Sequence, residues 1–317
     1  MHPLVQAANG IRFFTGYAAS FTALGYRFRR RGFEDLTPDF TGQRWIVTGA
    51  STGLGAALAR LAASYGADVT AVARSADKLD ALAAEATALP GAIRPHALDL
   101  SSIAANGDFA ASVAADGPVD MLVNNIGVLL NKPGTTAEGL DLGFATNLLG
   151  PWYLTQSLQT AGALPAGAAV ITMSSGGLYN VRLSIRALER QKHYDGVLAY
   201  AFHKRAQLAV NHAWRRRGDG VDYYVMHPGW AKTPGVESSL PGLDRSLGPI
   251  LRTPEEGVDT ALWLASKRPA QDTVEGLWFD RDLRKEHLLW GTQGGAEETA
   301  LLAALAAACD RALAATH

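Results

Sequence analysis

Between Trp45 and Phe279 the sequence alternates short apolar runs with Ala- and Leu-rich stretches, and this alternation leaves few folds open. The runs are Trp45–Thr48, Asp68–Ala73, Ile93–Leu98, Met121–Asn124, Ala169–Met173, Val221–Met226 and Gly276–Phe279. Helical stretches stand between them over Ala56–Tyr65, Ala76–Ala88, weakly up to Ala115, Gly143–Gly162 and Gly196–Arg217. Another opens at Pro254, whose missing N–H costs nothing in a first helical turn. Strands that are apolar throughout, each followed by a helix, predict a parallel sheet covered on both faces. A chain of 317 residues, 48% of them hydrophobic, can bury one large core, and no repeat or long linker divides it. The expected fold class is α/β: a doubly wound parallel sheet in a single domain over 43–293. A helical N-terminal extension over 1–42 and a C-terminal helix over 294–317 flank it. The irregular, charged stretch 176–197 reads as a lid or substrate loop.

Thr48-Gly-Ala-Ser-Thr-Gly-Leu-Gly55 joins the first strand to the first helix. Glycines there let backbone approach a pyrophosphate, and the helix N-terminus offers free N–H groups. The context predicts a Rossmann-type dinucleotide site built on Gly49, Ser51, Thr52, Gly53, Leu54 and Gly55. An NAD-preferring site usually carries an acid at the end of the second strand. Arg74 stands there instead, and a guanidinium can grip a 2′-phosphate, so NADP(H) is expected over NAD(H). Asp99, ahead of Leu100, can accept from an adenine amine or cap a helix. Asn124-Asn125-Ile126-Gly127 closes the fourth strand at the edge where open α/β sheets bind ligands.

Tyr200-Ala-Phe-His-Lys204 places a phenol and an ammonium on one helix face. The charge is expected to lower the phenol's pKa and make it a proton donor and acceptor near neutrality. By itself this pair is common on bland surfaces. Ser175 follows the fifth strand, where its hydroxyl can hold a carbonyl or simply shape the loop. Asn147 lies in a helix, where Asn is unfavoured. His227-Pro-Gly-Trp-Ala-Lys-Thr233 turns after the sixth strand; His227 has no second ligand nearby and reads as structural.

Together TGASTGLG, NNIG, Asn147, Ser175, YAFHK and HPGWAKT resemble the short-chain dehydrogenase/reductase family over roughly residues 40–290. The TGxxxGxG spacing is similar to its simple reductase branch, not to the sugar-epimerase branch. The resemblance implies that Tyr200 exchanges a proton with a carbonyl oxygen. Lys204 would lower the Tyr200 pKa and bond the nicotinamide ribose. Ser175 would orient the carbonyl, and Asn147 would hold a relay water. Gly49, Gly53 and Gly55 would form the phosphate turn. Asp99, Leu100, Asn125, Gly127, Pro228, Gly229 and Thr233 would line the cofactor site. It also implies a homo-oligomer, dimer or tetramer, paired through the helices after the fourth and fifth strands.

Two departures stand out. Ile126 replaces the usual Ala and is expected to crowd the adenine side. The gap between Ser175 and Tyr200 is long, so Leu178, Tyr179, Leu183, Ile185 and Leu188, with Trp230, are expected to shape an apolar substrate pocket. The implied activity is NADP(H)-dependent oxidation or reduction of an apolar secondary alcohol or carbonyl. The rival is a non-catalytic cofactor-binding scaffold or redox sensor.

A net charge of −1 argues against general nucleic-acid binding. The single cysteine, Cys309, excludes an internal disulfide and a multi-Cys metal site, and no metal is expected. Lack of disulfides and of an 18-residue apolar run fits a cytoplasmic protein. Ile11, Phe13, Phe14, Tyr17, Phe21 and Leu24 precede Arg27, Arg29, Arg30 and Arg31. Such a helix can rest on a membrane surface. The plainer expectation is a helix packed on the body with a solvated basic end.

Overall fold

The computed structural model describes residues 16–17, 19–189, 193–239, 242, 245, 247–270 and 273–315. Its sheet has eight strands in the order β3-β2-β1-β4-β5-β6-β7-β8. These are β1 Arg44–Thr48, β2 Asp68–Ala73, β3 Ala92–Ala97, β4 Met121–Asn124, β5 Ala169–Met173, β6 Asp222–Met226, β7 Leu277–Phe279 and β8 Asp282–Arg284. All pairings are parallel except β7 with β8. The strand order reverses between β1 and β4, which opens a crevice at their carboxyl ends. β4 and β5 are buried at every position, as their apolar runs require.

Helices α2 Gly53–Ser64, α3 Ala76–Glu85 and α9 Pro254–Lys267 supply apolar side chains to the core on one face. The other face is covered by α4 Ile103–Ala115, the run from α5 Leu142–Phe144 through a π-turn Ala145–Leu149 into α6 Gly150–Thr160, and α7 Gly196–Arg216. The C-terminal helix, α10 Glu298–Ala314, packs across α4, α7 and the π-turn. Leu301, Leu305, Ala308, Cys309 and Ala312 join the same cluster as Leu148, Leu149 and Trp152.

The N-terminal helix, α1 Ala23–Arg30, is packed on the body. Phe21 and Tyr26 are buried; Phe21 meets Phe279 at 5.2 Å and His227 at 4.8 Å between ring centroids. Leu24 and Phe28 face outward. The basic end is not simply solvated: Arg27 pairs with Glu256, and Arg29 with Asp280. Asp280 also binds Arg252, one of the largest fully buried side chains, and Arg252 Nε donates to Phe21 O at 3.0 Å. Ile11, Phe13 and Phe14 lie outside the described residues.

Two elements were not foreseen. β8 returns through Asp280 and Arg281, which hold φ of 50° and 59° without a glycine to mark the turn. The six-residue helix α8 Pro234–Ser239 follows Thr233. A cavity of about 520 Å³ opens between the extension, α9 and the β7–β8 hairpin, and its lining shares no residue with the predicted site.

Candidate active site

The glycine turn is shaped by close approach. Thr48 Oγ1 donates to Val123 O at 3.0 Å and accepts from Asn125 N at 3.0 Å, tying the end of β1 to that of β4. Asn125 Nδ2 donates to Thr48 O at 2.8 Å and Gly49 O at 3.2 Å. A Cβ on Gly55 would lie 2.3 Å from Gly49 O and 2.5 Å from Asn125 Nδ2, so only glycine fits. Gly49 and Gly53 hold φ of 68° and 58°. Thr52 gives α2 no side-chain cap, which leaves the first-turn N–H groups for an anion. Among the described residues no hydrogen bond engages the side chain of Ser51 or Thr52. Leu54 packs its side chain toward Gly257 of α9, so only its backbone faces the turn.

Ala50 N donates to Val72 O at 3.2 Å, which sets the turn beside the end of β2. Arg74 stands two residues on, exposed, with no partner among the described residues. Asp99 is exposed, and its Oδ1 accepts from Ser101 N at 3.0 Å. Thr233 closes the other side: its methyl lies 3.1 Å from where a Gly53 Cβ would be.

Two residues expected at the cofactor site also serve the core and the extension. Leu100 is fully buried in the core, and its carbonyl accepts from Asn106 Nδ2 at 3.0 Å. Gly229 serves the extension: a Cβ there would meet Arg252 Nε at 2.4 Å and Phe21 O at 2.7 Å. Ile126 turns into the core cluster, 8% exposed, rather than crowding the cleft. Leu178 and Tyr179 pack with Phe21 and Phe279, while Leu183 and Leu188 pack in the main core. Those four side chains are buried in the apolar clusters, so the long insert packs them against the two extensions instead of leaving them open to the cleft. Pro228 packs near Gly257, and His227 stacks on Phe279 at 4.1 Å with its Nδ1 accepting from Gly229 N.

The expected catalytic residues do converge. A Cβ on Gly127 would lie 3.4 Å from Lys204 Nζ, 3.6 Å from Tyr200 Cε2 and 3.7 Å from Asn147 Oδ1. Ser175 stands near the Tyr200 hydroxyl and acts to lower its pKa. Lys204 Nζ donates to Met173 O at 2.8 Å, and Ser174 Oγ donates to Lys204 O at 2.9 Å, fastening α7 to the end of β5. Asn147 sits in the π-turn, a distortion common at functional sites. Pro151 has no N–H for the Asn147 carbonyl, and Gln207 Nε2 donates to it at 2.6 Å. The Asn147 side chain grips Val128, accepting from its N–H at 2.7 Å and donating to its carbonyl at 2.9 Å. Sequence reasoning missed Gln207, Val128, Met173 and Ser174; backbone partners leave no residue-type signal, and Gln207 lies beyond the motif.

The expected depression of the Tyr200 pKa by Lys204 is not what this geometry gives. Burial pushes the phenol up to about 12, against the lowering effect of the nearby Ser175 hydroxyl. Burial also lowers Lys204 from 10.5 to about 7. Its ammonium lies 5.4 Å from the Tyr200 ring centroid and is bonded to a neutral carbonyl, so it carries little charge to the phenol near neutrality. The result is a phenol held protonated at physiological pH beside a readily deprotonated amine.

The family model described as short chain dehydrogenase matches residues 43–186. Dehydrogenase/reductase SDR family member 12 of Homo sapiens is 33% identical over 307 residues, covering 94% of this chain and 95% of that protein. The chain belongs to the short-chain dehydrogenase/reductase family. Retinol dehydrogenase 11 of Mus musculus is 31% identical over 227 residues, 69% of this chain and 72% of that one. A solved structure assigned as an NAD(P)-dependent gluconate 5-dehydrogenase of Beutenbergia cavernae, with NADP bound at low occupancy, superimposes with a TM-score of 0.60 at 27% identity. It covers 72% of this chain and 91% of its own. The doubly wound sheet and the oxidoreductase class are thereby established. Among the described residues no helix is long and apolar enough to cross a membrane, and no cluster of three or more metal-ligating side chains occurs.

Proposed function

We propose that the chain is an NADP(H)-dependent oxidoreductase that interconverts a secondary alcohol and a carbonyl on a largely apolar molecule. The convergence of Tyr200, Lys204 and Asn147 around Gly127, with Ser175 near the Tyr200 hydroxyl, carries this reading. The dinucleotide fits the residues present: the turn from Gly49 to Gly55 is a backbone cradle that a Cβ would fill, and the N–H groups opening α2 are uncapped. Arg74, exposed and unpaired among the described residues, supports the 2′-phosphate form over NAD(H). Asp99 would face the adenine, and Lys204 and Thr233 the nicotinamide half. When bound, the cofactor supplies or accepts the hydride.

This chain's residues handle the oxygen. Ser175 orients the carbonyl by a hydrogen bond, and the neutral Tyr200 phenol donates its proton to that oxygen on reduction. In oxidation the phenolate takes it back. The amine of Lys204, poised near pH 7, can shuttle the replacement proton. Half-buried Val128, Leu129 and Leu130 beside the site support an apolar substrate, as does the name of the retinol dehydrogenase relative. Pairing with a second copy through the helices after β4 and β5 would have to accommodate α10, which lies across α7 and the π-turn. A cytoplasmic location belongs to the same reading; the buried thiol of Cys309, raised to about 12, is not poised for redox use.

Cofactor titration followed by quenching of the seven tryptophans tests the cofactor half, with NADPH and NADH on wild type and Arg74→Ala. NADPH binding that Arg74→Ala weakens, with NADH unchanged, is the expected result. A panel of apolar ketones, aldehydes and alcohols then tests turnover. Binding of neither cofactor would overturn the reading. Binding without turnover of any compound would favour a scaffold.

A further inference from the structure

His203 lies inside the Tyr200–Lys204 motif, yet the roles above leave it unused. Its ring is 1% exposed and stands between two groups. Nε2 is 2.9 Å from Leu188 O, and Nδ1 is 3.2 Å from Asn147 Nδ2. The backbone of Val128 decides where the ring proton sits. Turning the Asn147 amide over would set N–H against N–H and oxygen against oxygen at Val128, so Nδ2 must point where it does. Its second N–H is aimed at His203 Nδ1, which must present a lone pair. The proton is therefore on Nε2 and is donated to Leu188 O.

We propose that His203 is a positioning residue: its Nδ1 lone pair locks the Asn147 amide, and its Nε2–H ties that amide to the carbonyl of Leu188. The catalytic consequence rests on the oxidoreductase reading above. Leu188 follows the short helical turn Ile185–Ala187, against which α10 packs, and Glu189 pairs with Arg311 of α10. The ring thus joins the long insert and the C-terminal helix to the π-turn. Burial keeps it neutral, its pKa pushed down to about 4 despite the nearby Asp141.

Three substitutions separate positioning from mere support. His203→Phe leaves the Asn147 N–H and the Leu188 carbonyl unpartnered, and kcat should fall roughly ten- to a hundredfold with NADPH affinity little changed. In His203→Asn the side-chain oxygen takes the place of Nδ1 and should restore most of kcat. In His203→Gln the amide N–H reaches toward Leu188 but leaves Asn147 unpartnered, so kcat should stay low. Recovery in Gln and not in Asn would overturn the proposal, as would an unchanged kcat in Phe. Nitrogen NMR of the ring adds a readout independent of turnover. The ring signal absent from His203→Phe should show a protonated Nε2 and a bare Nδ1 at neutral pH, and the Asn147 side-chain amide signal should shift in Phe and return in Asn. A protonated Nδ1, or an Asn147 signal indifferent to His203→Phe, overturns the proposal. If no compound on the panel is turned over, the oxidoreductase reading fails while the spectra still decide this one.

Discussion

Replacing Lys204 with methionine should make the protein harder to unfold at acid to neutral pH while abolishing turnover. Lys204 is 1% exposed, and its ammonium is bonded to the Met173 carbonyl rather than to a carboxylate. Burial lowers its pKa from 10.5 to about 7, so the folded state disfavours the charged amine. Between those two values the unfolded chain binds more protons than the folded one, and stability rises with pH. The cost of burying the charge is nearly complete at pH 6, about 5 kcal/mol, and falls to about 2 kcal/mol at pH 9. Methionine fills a similar volume without charge but strips the Met173 carbonyl of its donor, which costs about 1–3 kcal/mol. The net gain should be about 2–4 kcal/mol at pH 6 and close to zero at pH 9. Urea titrations of wild type and Lys204→Met at the two pH values measure it, because all other titrations cancel in the difference. A difference that is the same at both pH values, or a variant less stable than wild type at pH 6, would refute the reasoning.

Tyr200→Phe should fold normally and bind cofactor, yet lose roughly 10²–10⁴ in kcat on whichever panel compound wild type turns over. Gly55→Ala forces a Cβ to 2.3 Å from Gly49 O; it should cost about 1–3 kcal/mol in urea and abolish NADPH quenching. Asp280→Ala removes the shared carboxylate of Arg29 and the fully buried Arg252, and should cost roughly 3–5 kcal/mol by the urea midpoint.

The doubly wound core was legible because its signals are local: largely apolar central strands, a glycine turn between strand and helix, and Pro254 at a helix start. The convergence of Asn147, Ser175, Tyr200 and Lys204 followed from motif order. What stayed hidden depends on tertiary contact. Leu178, Tyr179, Leu183 and Leu188 read as pocket lining because nothing local says that Phe21 and the C-terminal helix will cover them. Gly229 sits in a cofactor-like motif but answers to the distant Arg252. The charge state of Lys204 turns on burial beside a carbonyl, which no spacing encodes. The β7–β8 turn uses Asp280 and Arg281 in left-handed backbone; Asp suits such a turn, but without a following glycine the pair gives only a weak signal.

The clasp between the N-terminal helix and the body also sets an order of events during synthesis. Arg29 and its partner Asp280 are 251 residues apart in sequence. At ribosomal rates of about 5–20 residues per second, the helix leaves the exit tunnel roughly 12–50 s before its carboxylate partner does. Throughout that interval Phe21 and Tyr26 have no body to pack on, beside Arg29, which lacks its carboxylate partner. The extension is translated ahead of the sheet and hairpin on which it docks. The nascent chain therefore carries an unshielded, basic, aromatic helix while the sheet assembles behind it, and that interval is when a chaperone has most to act on.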